Sequence, residues 1–434
     1  IYKAAEAIGG HNREVAEELA KQVEDYIEKE EKISTPTVEH IQDVVERTLI
    51  ESGHSRTAKE YILYRADRTR HREMNTRLMK IYEDLTFKAA KDNDIKRENA
   101  NIDGDTAMGT MLKYGSEGAK QFYEMYILDP AHAKAHREGD IHIHDLDFLT
   151  LTTTCCQIDL DKLFTGGFST GHGFLREPND IASYSALACI AIQSNQNDQH
   201  GGQSIPNFDY AMAPGVAKTF VKEYFDAMAQ IISLKQGIPY DEALDMAKKI
   251  AKEVTKPTIS NAATYAQELE RWYDEALDHY GVDKEVLISG HKNAAKTAYT
   301  KTDKATYQAM EALVHNLNTM NSRAGAQVPF SSVNYGTDTS AEGRMVVRNL
   351  LLATDAGMGN GETPIFPVQI FKVKEGLNYN SGDPNYDLFK LAMRCSAKRL
   401  FPNFSFQDAP FNLEYYKEGR PETEIAYMGC RTRV

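Results

Sequence analysis

The sequence predicts an α/β fold behind an all-helical front. At the front, apolar residues recur every three or four positions among charged ones, which is typical of amphipathic helices. Later in the chain, helical stretches alternate with short runs rich in β-branched and aromatic residues, an alternation typical of α/β proteins. Residues 327–335 and 365–373 are the clearest strand candidates, and residues 218–320 are predicted to be mostly helical. Between the front and the rest, we expect residues 76–110 to form a linker that leads into a helix near 112–126.

Three helices are predicted within residues 1–75. Thr35 followed by Pro36 predicts the start of the second helix, and Gly53 predicts its end. A plain three-helix packing module would give the same periodicity, so the pattern alone assigns no function. The apolar stripes of the three helices are Val15, Leu19, Val23 and Ile27, then Val38, Ile41, Val45 and Leu49, then Ala58, Tyr61 and Ile62.

Composition narrows the classes of function. The net charge of −13 argues against a broad nucleic-acid-binding face, although it allows a local basic pocket for phosphates. No apolar run approaches the roughly 18 residues that a membrane span needs, and the front does not read as a secretion signal. We therefore predict a cytoplasmic protein that has neither a membrane nor a nucleic-acid polymer as its partner.

The five cysteines form an odd set without C-x-x-C spacing, which disfavours a disulfide framework and a zinc site within this chain. In a reducing compartment most such cysteines are buried as small hydrophobic residues. Cys189 and Cys395 stand in apolar helical contexts, and we predict that they pack in the core. Cys155 and Cys156 are adjacent in a strand-like run, so their side chains should point to opposite faces and only one can face a substrate.

Three groups of motifs carry a resemblance to a known family. They are residues 33–46 and 58–65, then 98–101, 139–147 and 154–160, then 364–373, 382–387 and 428–431. The first group resembles the helical part of an ATP-cone, a regulatory domain of many ribonucleotide reductases. The other two together resemble the catalytic subunit of the anaerobic, class III ribonucleotide reductases. As an ordered set these motifs are specific, whereas each alone would be weak.

The resemblance implies an organisation for the whole chain. Residues 1–75 would be the helical part of an ATP-cone, and residues 76–434 the first half of a ten-stranded α/β barrel of the glycyl-radical enzyme type, up to the finger-loop cysteine. The basic β-hairpin that normally opens an ATP-cone is missing before Ile1. The family's glycyl-radical loop and four-cysteine zinc site would lie beyond Val434. We therefore expect a fragment that is inactive by itself.

The resemblance also implies a radical mechanism with two cysteines. Removal of the 3′ hydrogen of a ribose makes the neighbouring C–O bond at C2′ labile, and a thiyl radical suits this step because S–H and C–H bonds are similar in strength. Cys430 follows Gly429, which permits a tight backbone, and it stands in the motif that resembles the family's finger loop. It is the implied thiyl site. Cys155 is the implied second thiol, which would deliver a hydrogen to C2′ after water leaves.

Weaker signals give further candidates for substrate binding. His144 and Asp145 could hold or protonate a substrate hydroxyl, or could serve only in capping and structural hydrogen bonds. Gly201 and Gly202 stand in a small, polar segment that could cradle a phosphate, as does Arg323 in the segment 321–325. Either segment could equally be a simple turn.

Effectors, cofactors and partners complete the implied picture. Lys59 and Arg65, on the third front helix, could reach effector phosphates or could be solvated. The family binds ATP or dATP at its cone and other nucleotides as allosteric effectors. The resemblance further implies ribonucleotide substrates, expected to be triphosphates, a glycyl radical and a zinc ion on the C-terminal segment, and formate or a thiol protein as reductant. It also implies a radical-SAM iron–sulfur activating enzyme and a homodimer or higher homo-oligomer.

Two other functions stay open on the sequence. A glycyl-radical enzyme of the formate-lyase type would carry two adjacent cysteines in its finger loop, whereas here the adjacent pair is Cys155-Cys156 and the finger motif has one cysteine. A catalytically inactive, nucleotide-sensing regulator would have no need of Cys155 and Cys430 within their full motifs.

Overall fold

The structure is a computed structural model that describes residues 1–30, 35–88, 104–149, 154–273, 280–323, 326–428 and 432–433. These residues form two compact units. The first unit extends to residue 149, and the second begins at residue 154. No helix in the described ranges is long and apolar enough to cross a membrane.

The first unit is helical. The front stripes meet in a buried cluster that includes Leu19, Val23, Val45 and Leu49, which confirms the predicted packing of the front helices. π-helical turns follow the second and fifth helices. The helices are α1 (Tyr2–Ala7), α2 (Arg13–Asp25), α3 (Val38–Glu51), α4 (Ser55–Phe87), α5 (Ala107–Phe122) and α6 (Pro130–Glu138).

Two predictions in this unit are wrong in detail. Helix α3 is capped by Thr37 and not by Thr35, because the Thr37 hydroxyl accepts a hydrogen bond from the His40 backbone N–H at 3.2 Å. The linker predicted over 76–110 is largely helical where it is described, since α4 continues to Phe87 and α5 begins at Ala107. The helix predicted near 112–126 is confirmed by α5 and its π-helical end.

The second unit is built on a parallel sheet of five strands, in the order β1-β4-β5-β6-β7. It confirms the α/β prediction, and both strand candidates are strands. The five are β1 (Thr154–Gln157), β4 (His200–Ile205), β5 (Ser331–Tyr335), β6 (Val368–Val373) and β7 (Asn403–Phe406). Two short antiparallel pairs complete the strands: β2 (Phe168–Ser169) with β3 (Phe174–Leu175), and β8 (Tyr427–Met428) with β9 (Thr432–Arg433).

Helices connect successive strands of the parallel sheet, as a parallel arrangement requires. Residues 218–320 are mostly helical, as predicted. The helices are α7 (Leu160–Phe164), α8 (Ile181–Asn195), α9 (Phe208–Gln236), α10 (Tyr240–Glu253), α11 (Tyr265–Trp272), α12 (Lys284–Thr319), α13 (Ala341–Ala356), α14 (Tyr386–Arg399) and α15 (Pro410–Leu413).

The two faces of the sheet differ in chemistry. On one face Val333, Tyr335, Phe371 and Val373 pack with the helices in the main hydrophobic core. Alternate residues of the same strands point the other way. Although Ile370 is apolar, several of these residues are polar yet fully or almost fully buried, so on this face specific contacts must be satisfied. This polar face carries Ser204, Ser332, Asn334, Lys372 and Ser405. Cys189 in α8 and Cys395 in α14 are buried in the main core, which confirms their predicted packing role.

Candidate active site

Cys156 faces the helices. Its Sγ accepts a hydrogen bond from Asn195 Nδ2 at 2.9 Å, and the same Nδ2 donates to Gln203 Oε1 at 2.8 Å. The side chain packs against the main hydrophobic core. Burial raises the pKa of the Cys156 thiol, and the Asn195 hydrogen bond partly offsets this effect. Cys156 therefore has the surroundings of a core residue.

Cys155 lies at the break in the pairing of β1 with β4. Further along β1 the register is regular, and Gln157 pairs with Ser204 of the polar face. The Cys155 backbone is left-handed at this irregularity, with φ of +52°. The thiol accepts a hydrogen bond from the Gly202 backbone N–H at 3.3 Å. The two thiols thus have different partners, Gly202 for Cys155 and Asn195 for Cys156, while their opposition across the sheet stays a prediction.

Gly201 and Gly202 lie in strand β4, so the prediction of a loop or turn at this point is wrong. Gly201 has a φ of +87°, and a Cβ at this position would stand 2.9 Å from Cys155 Sγ and 3.3 Å from Cys155 N. Real Cβ atoms essentially never approach another heavy atom so closely. Gly201 is therefore needed to make room for Cys155.

Residues 421–428 cross the polar face of the sheet, and we call them the sheet-crossing segment. Asn334 in the middle of β5 holds this segment by both ends of its amide. Asn334 Oδ1 accepts from the Tyr427 backbone N–H at 2.9 Å, and Nδ2 donates to the Tyr427 carbonyl at 3.0 Å. The hydroxyl of Ser204 donates to the same carbonyl at 2.8 Å.

A buried ion pair fixes the segment nearer its start. Lys372 Nζ lies 3.1 Å from Glu424 Oε2, and the two side chains are 1% and 4% exposed. The Glu424 oxygen also accepts from Thr337 Oγ1 at 2.7 Å, and Lys372 Nζ donates to Asn207 Oδ1 at 2.7 Å. Each charge thus has a charged and a neutral partner, which a buried pair requires in order to be tolerated.

The segment runs against the direction of the sheet strands. Glu424 contacts Thr337, which follows the end of β5, whereas Tyr427 contacts Asn334 within β5. Strand β8 then contacts β1, β4 and β5, and it pairs with β9. Residues 429–431 link β8 to β9, so Cys430, the predicted thiyl site, lies outside the described residues together with Gly429.

The remaining predicted site residues are placed elsewhere. Arg323 forms an isolated bridge with Gln327 just before β5, and its neighbour Ser322 is tied to the end of α8, where Asn197 Nδ2 donates to the Ser322 carbonyl at 3.1 Å. His144 and Asp145 belong to the first unit. His144 Nε2 stands 3.4 Å from Asp145 Oδ2, and the His144 side chain is 83% exposed.

The two candidates for effector binding differ in their surroundings. Lys59 is exposed on α4. The Arg65 guanidinium contacts Asp43 and Glu46 of α3, the latter at 2.9 Å, and hydrogen bonds to both carboxylates raise the pKa of Arg65. In the structure Arg65 joins two helices of the front. No cluster of three or more His, Cys, Asp or Glu side chains in the described ranges could hold a metal ion.

Comparisons with known proteins decide the family. A sequence model described as "Anaerobic ribonucleoside-triphosphate reductase" matches residues 98–434, and one described as "ATP cone domain" matches residues 1–70. The chain belongs to the anaerobic ribonucleoside-triphosphate reductase family. The resemblance stated from the sequence motifs is thereby confirmed.

Two relatives from this reductase family share between a quarter and a third of their aligned residues with the chain. The anaerobic ribonucleoside-triphosphate reductase of Salmonella typhimurium is 27% identical over 435 residues, which is 100% of this chain and 51% of that protein. The protein of the same name from Enterobacteria phage T4 is 29% identical over 349 residues, 78% of this chain and 46% of that protein. The chain thus spans about half the length of the relatives it matches. The anaerobic ribonucleotide reductase of Thermotoga maritima in complex with dATP and CTP aligns with a TM-score of 0.44 at 13% identity, over 81% of this chain and 52% of that one.

Several residues of this arrangement were not among the predicted site residues. Ser204, Asn334 and Lys372 contact the sheet-crossing segment, and Glu424 belongs to it. Polar residues inside the strands could have indicated this face. A parallel strand that is covered on both faces normally consists of consecutive apolar residues, but β5 contains Asn334 and β6 contains Lys372.

Proposed function

We propose that the protein reduces ribonucleotides, as triphosphates, to deoxyribonucleotides under anaerobic conditions by a glycyl and thiyl radical mechanism. Membership in the reductase family supports the proposal. The main structural support is the sheet-crossing segment, which Asn334 and Ser204 hold on the polar face of the sheet. This segment leads into the hairpin of β8 and β9, and Cys430 lies in the sequence between these two strands. We infer that the five parallel strands are half of a ten-stranded barrel, with an ATP-cone over residues 1–75 and the catalytic part over 76–434.

In this proposal Cys430 and Cys155 act from the same face of the sheet. The segment heads from the carboxyl ends of the strands toward their amino ends, and Cys155 stands at the amino-terminal end of β1. Strand β8 contacts β1, the strand that carries Cys155, and this contact supports the proposal. Cys430 would remove the 3′ hydrogen of the ribose, the C2′ hydroxyl would leave as water, and Cys155 would supply a hydrogen to C2′. The reductant, formate or a thiol protein, would supply the two electrons consumed overall, and Cys430 would return its hydrogen to C3′.

The radical would come from the family's glycyl-radical loop, which would take the hydrogen atom of the Cys430 thiol and leave a thiyl radical on its sulfur. Cys155 fits this chemistry, because its thiol is half-buried and accepts only one long hydrogen bond, from the Gly202 backbone N–H at 3.3 Å. Cys156 instead faces Asn195 and the core. This difference supports Cys155 over its neighbour as the second thiol.

The further partners are proposed from the family alone. ATP or dATP would bind the cone, with Lys59 as the more accessible of the two candidate contacts, and other nucleotides would act as effectors. A radical-SAM activating enzyme, a homodimer, and formate or a thiol protein as reductant belong to the same proposal. Zinc is assigned to no described residue. His144, Asp145, Gly201, Gly202 and Arg323 stay predictions as substrate contacts, as does the cytoplasmic location.

The test uses the full-length protein with its activating enzyme, S-adenosylmethionine and a reductant, without oxygen. A glycyl-radical EPR doublet and deoxyribonucleotide formation are measured for the wild type and for Cys430→Ser, Cys155→Ser and Cys156→Ser. The proposal expects the doublet in all four proteins, and product from the wild type and Cys156→Ser only. A doublet without product from any ribonucleotide would indicate a lyase, and no doublet would indicate a regulator. Product from Cys155→Ser would refute the role of Cys155.

A further inference from the structure

The side chain of Asn334 replaces, for the sheet-crossing segment, the hydrogen bonds that a neighbouring strand would give. It is fully buried, and its amide accepts from the N–H of Tyr427 and donates to the C=O of the same residue, at 2.9 Å and 3.0 Å. We propose that Asn334 is a positioning residue, which fixes Tyr427 and through it the link that carries Cys430. This inference rests on the proposed function of Cys430.

The contacts leave the amide little freedom. Asn334 Nδ2 also donates to Ser204 Oγ at 3.0 Å and to the Ile205 carbonyl at 3.3 Å. Ser204 in turn donates to the Tyr427 carbonyl at 2.8 Å. The backbone of Tyr427 is therefore held on both sides of its Cα by side chains from two adjacent strands. Because the amide has both a donor and an acceptor, it fixes the orientation of the two peptide units that flank this Cα.

The sheet does not need these contacts for its own pairing. β4, β5 and β6 are joined through their backbones along the ladder. Three of the four hydrogen bonds of the Asn334 side chain go to Tyr427 or to Ser204, and Ser204 itself donates to the Tyr427 carbonyl. A buried polar atom without a partner is costly, and the Asn334 Oδ1 has the Tyr427 N–H as its partner, so the buried amide is better satisfied when the segment is seated. The position of Tyr427 is three residues from the proposed reacting sulfur, where a shift of about 1 Å can lower a rate roughly 100-fold.

Asn334→Asp is the substitution that tests the proposal most directly. It keeps the shape and the acceptor for the Tyr427 N–H, but it loses the donor and places a carboxylate oxygen against the carbonyls of Tyr427 and Ile205. Asn378→Asp is the matched control. Asn378 is equally buried, and its amide donates to the carbonyls of Gly336 and Lys372 at 2.9 Å and 2.8 Å, so it joins the loops after β5 and β6 instead.

The experiment uses the activated full-length enzyme and compares the wild type with these two variants. We measure the glycyl-radical EPR yield, the rate of product formation, and hydrogen exchange in peptides that cover residues 425–430. For Asn334→Asp we expect an unchanged radical yield, a product rate that is roughly 100-fold lower, and exchange at the Tyr427 amide that is about 10-fold faster. Asn378→Asp should leave the exchange of 425–430 as in the wild type. Asn334→Gln, which restores a donor and an acceptor, should recover part of the product rate.

Normal exchange at 425–430 or normal turnover in Asn334→Asp would overturn the inference, and so would equal effects of Asn378→Asp on both. If Asn334→Asp does not fold, Ser204→Ala replaces it, since this change removes one bond to the Tyr427 carbonyl and leaves Asn334 in place. It should speed exchange at 425–430 to a smaller extent, and unchanged exchange would again overturn the inference. A wild type that carries the radical without making product would refute the proposed function, while the exchange data would still report on the anchor.

Discussion

Lys372 Nζ and Glu424 Oε2 lie 3.1 Å apart in a part of the molecule from which solvent is almost completely excluded. The pair links β6 to the sheet-crossing segment, so it contributes both to stability and to the placement of the hairpin that follows. Removal of either partner would leave a buried charge without its counter-ion.

We predict that Glu424→Gln or Lys372→Met alone lowers the free energy of unfolding by about 3–5 kcal/mol, and that the double variant loses less than the sum. Denaturant unfolding of the three variants measures this coupling. The control is Arg348→Met, which breaks the exposed pair with Asp303 and should cost less than about 1 kcal/mol. Additive losses in the double variant would show that the two charges do not stabilise each other.

Gly201→Ala tests the contact between β4 and Cys155. The added Cβ would require a left-handed alanine and would stand 2.9 Å from Cys155 Sγ, so we expect a loss of about 2–4 kcal/mol in the free energy of unfolding. Gly171→Ala provides the control, because Gly171 has a φ of +90° but has nothing within 4 Å of its Cβ position. It should show only the backbone strain, about 1–2 kcal/mol.

The close approach of residue 201 to Cys155 Sγ predicts a coupling between the two positions. Gly201→Ala should lower the free energy of unfolding by less in a Cys155→Ala background, because the clashing sulfur is absent. Thermal or denaturant unfolding of the four proteins of this cycle gives the coupling directly. An equal cost in both backgrounds would mean that the sulfur does not limit residue 201.

The sequence predicted those helices and strands whose burial pattern is determined by neighbouring residues. The periodicity of α2 and α3 and the β-branched runs of β5 and β6 could be read from the sequence, because each burial pattern is set within a few residues. Strand β4 was misread because Gly201 and Gly202 favour turns by themselves, and only the pairing with β1 makes a strand of them. The contact of Asn334 with Tyr427 joins residues 93 positions apart, and no local pattern encodes it.

Arg65 at the front offers a test between structural and effector-binding roles. Because its guanidinium contacts Asp43 and Glu46, Arg65→Met should lower the free energy of unfolding of the front helices by about 1 kcal/mol. Lys59→Met, at an exposed position on the same helix, should change the unfolding by less than about 0.5 kcal/mol. Thermal unfolding at low and high salt measures both, and the Arg65 effect should shrink at high salt. If Arg65→Met left stability unchanged but abolished ATP binding, the effector role would be favoured instead.

Asp209 predicts a pH dependence of stability. Burial, with the negative charge of Asp338 adding to its effect, raises the pKa of Asp209 to about 6 although the carboxylate accepts from the backbone N–H groups of Gly336 and Asp338. In the unfolded chain the pKa is about 3.9, so the folded protein holds the extra proton between these two values. The extra proton on Asp209 therefore adds to the free energy of unfolding below about pH 4. This contribution is lost as the pH rises through 6, a change on the order of 3 kcal/mol.

Asp209→Asn should remove this loss, since a neutral amide keeps an acceptor for the same N–H groups. The free energy of unfolding of the variant, measured relative to the wild type, should therefore rise between pH 4 and pH 7. Asp245→Asn is the control, because the Lys249 ammonium lowers the pKa of Asp245 at the surface. The free energy of unfolding of Asp245→Asn, measured relative to the wild type, should fall slightly between pH 4 and pH 7. A difference for Asp209→Asn that stayed constant over this range would show that the carboxyl group is not protonated in the folded protein, and that the two backbone donors outweigh its burial.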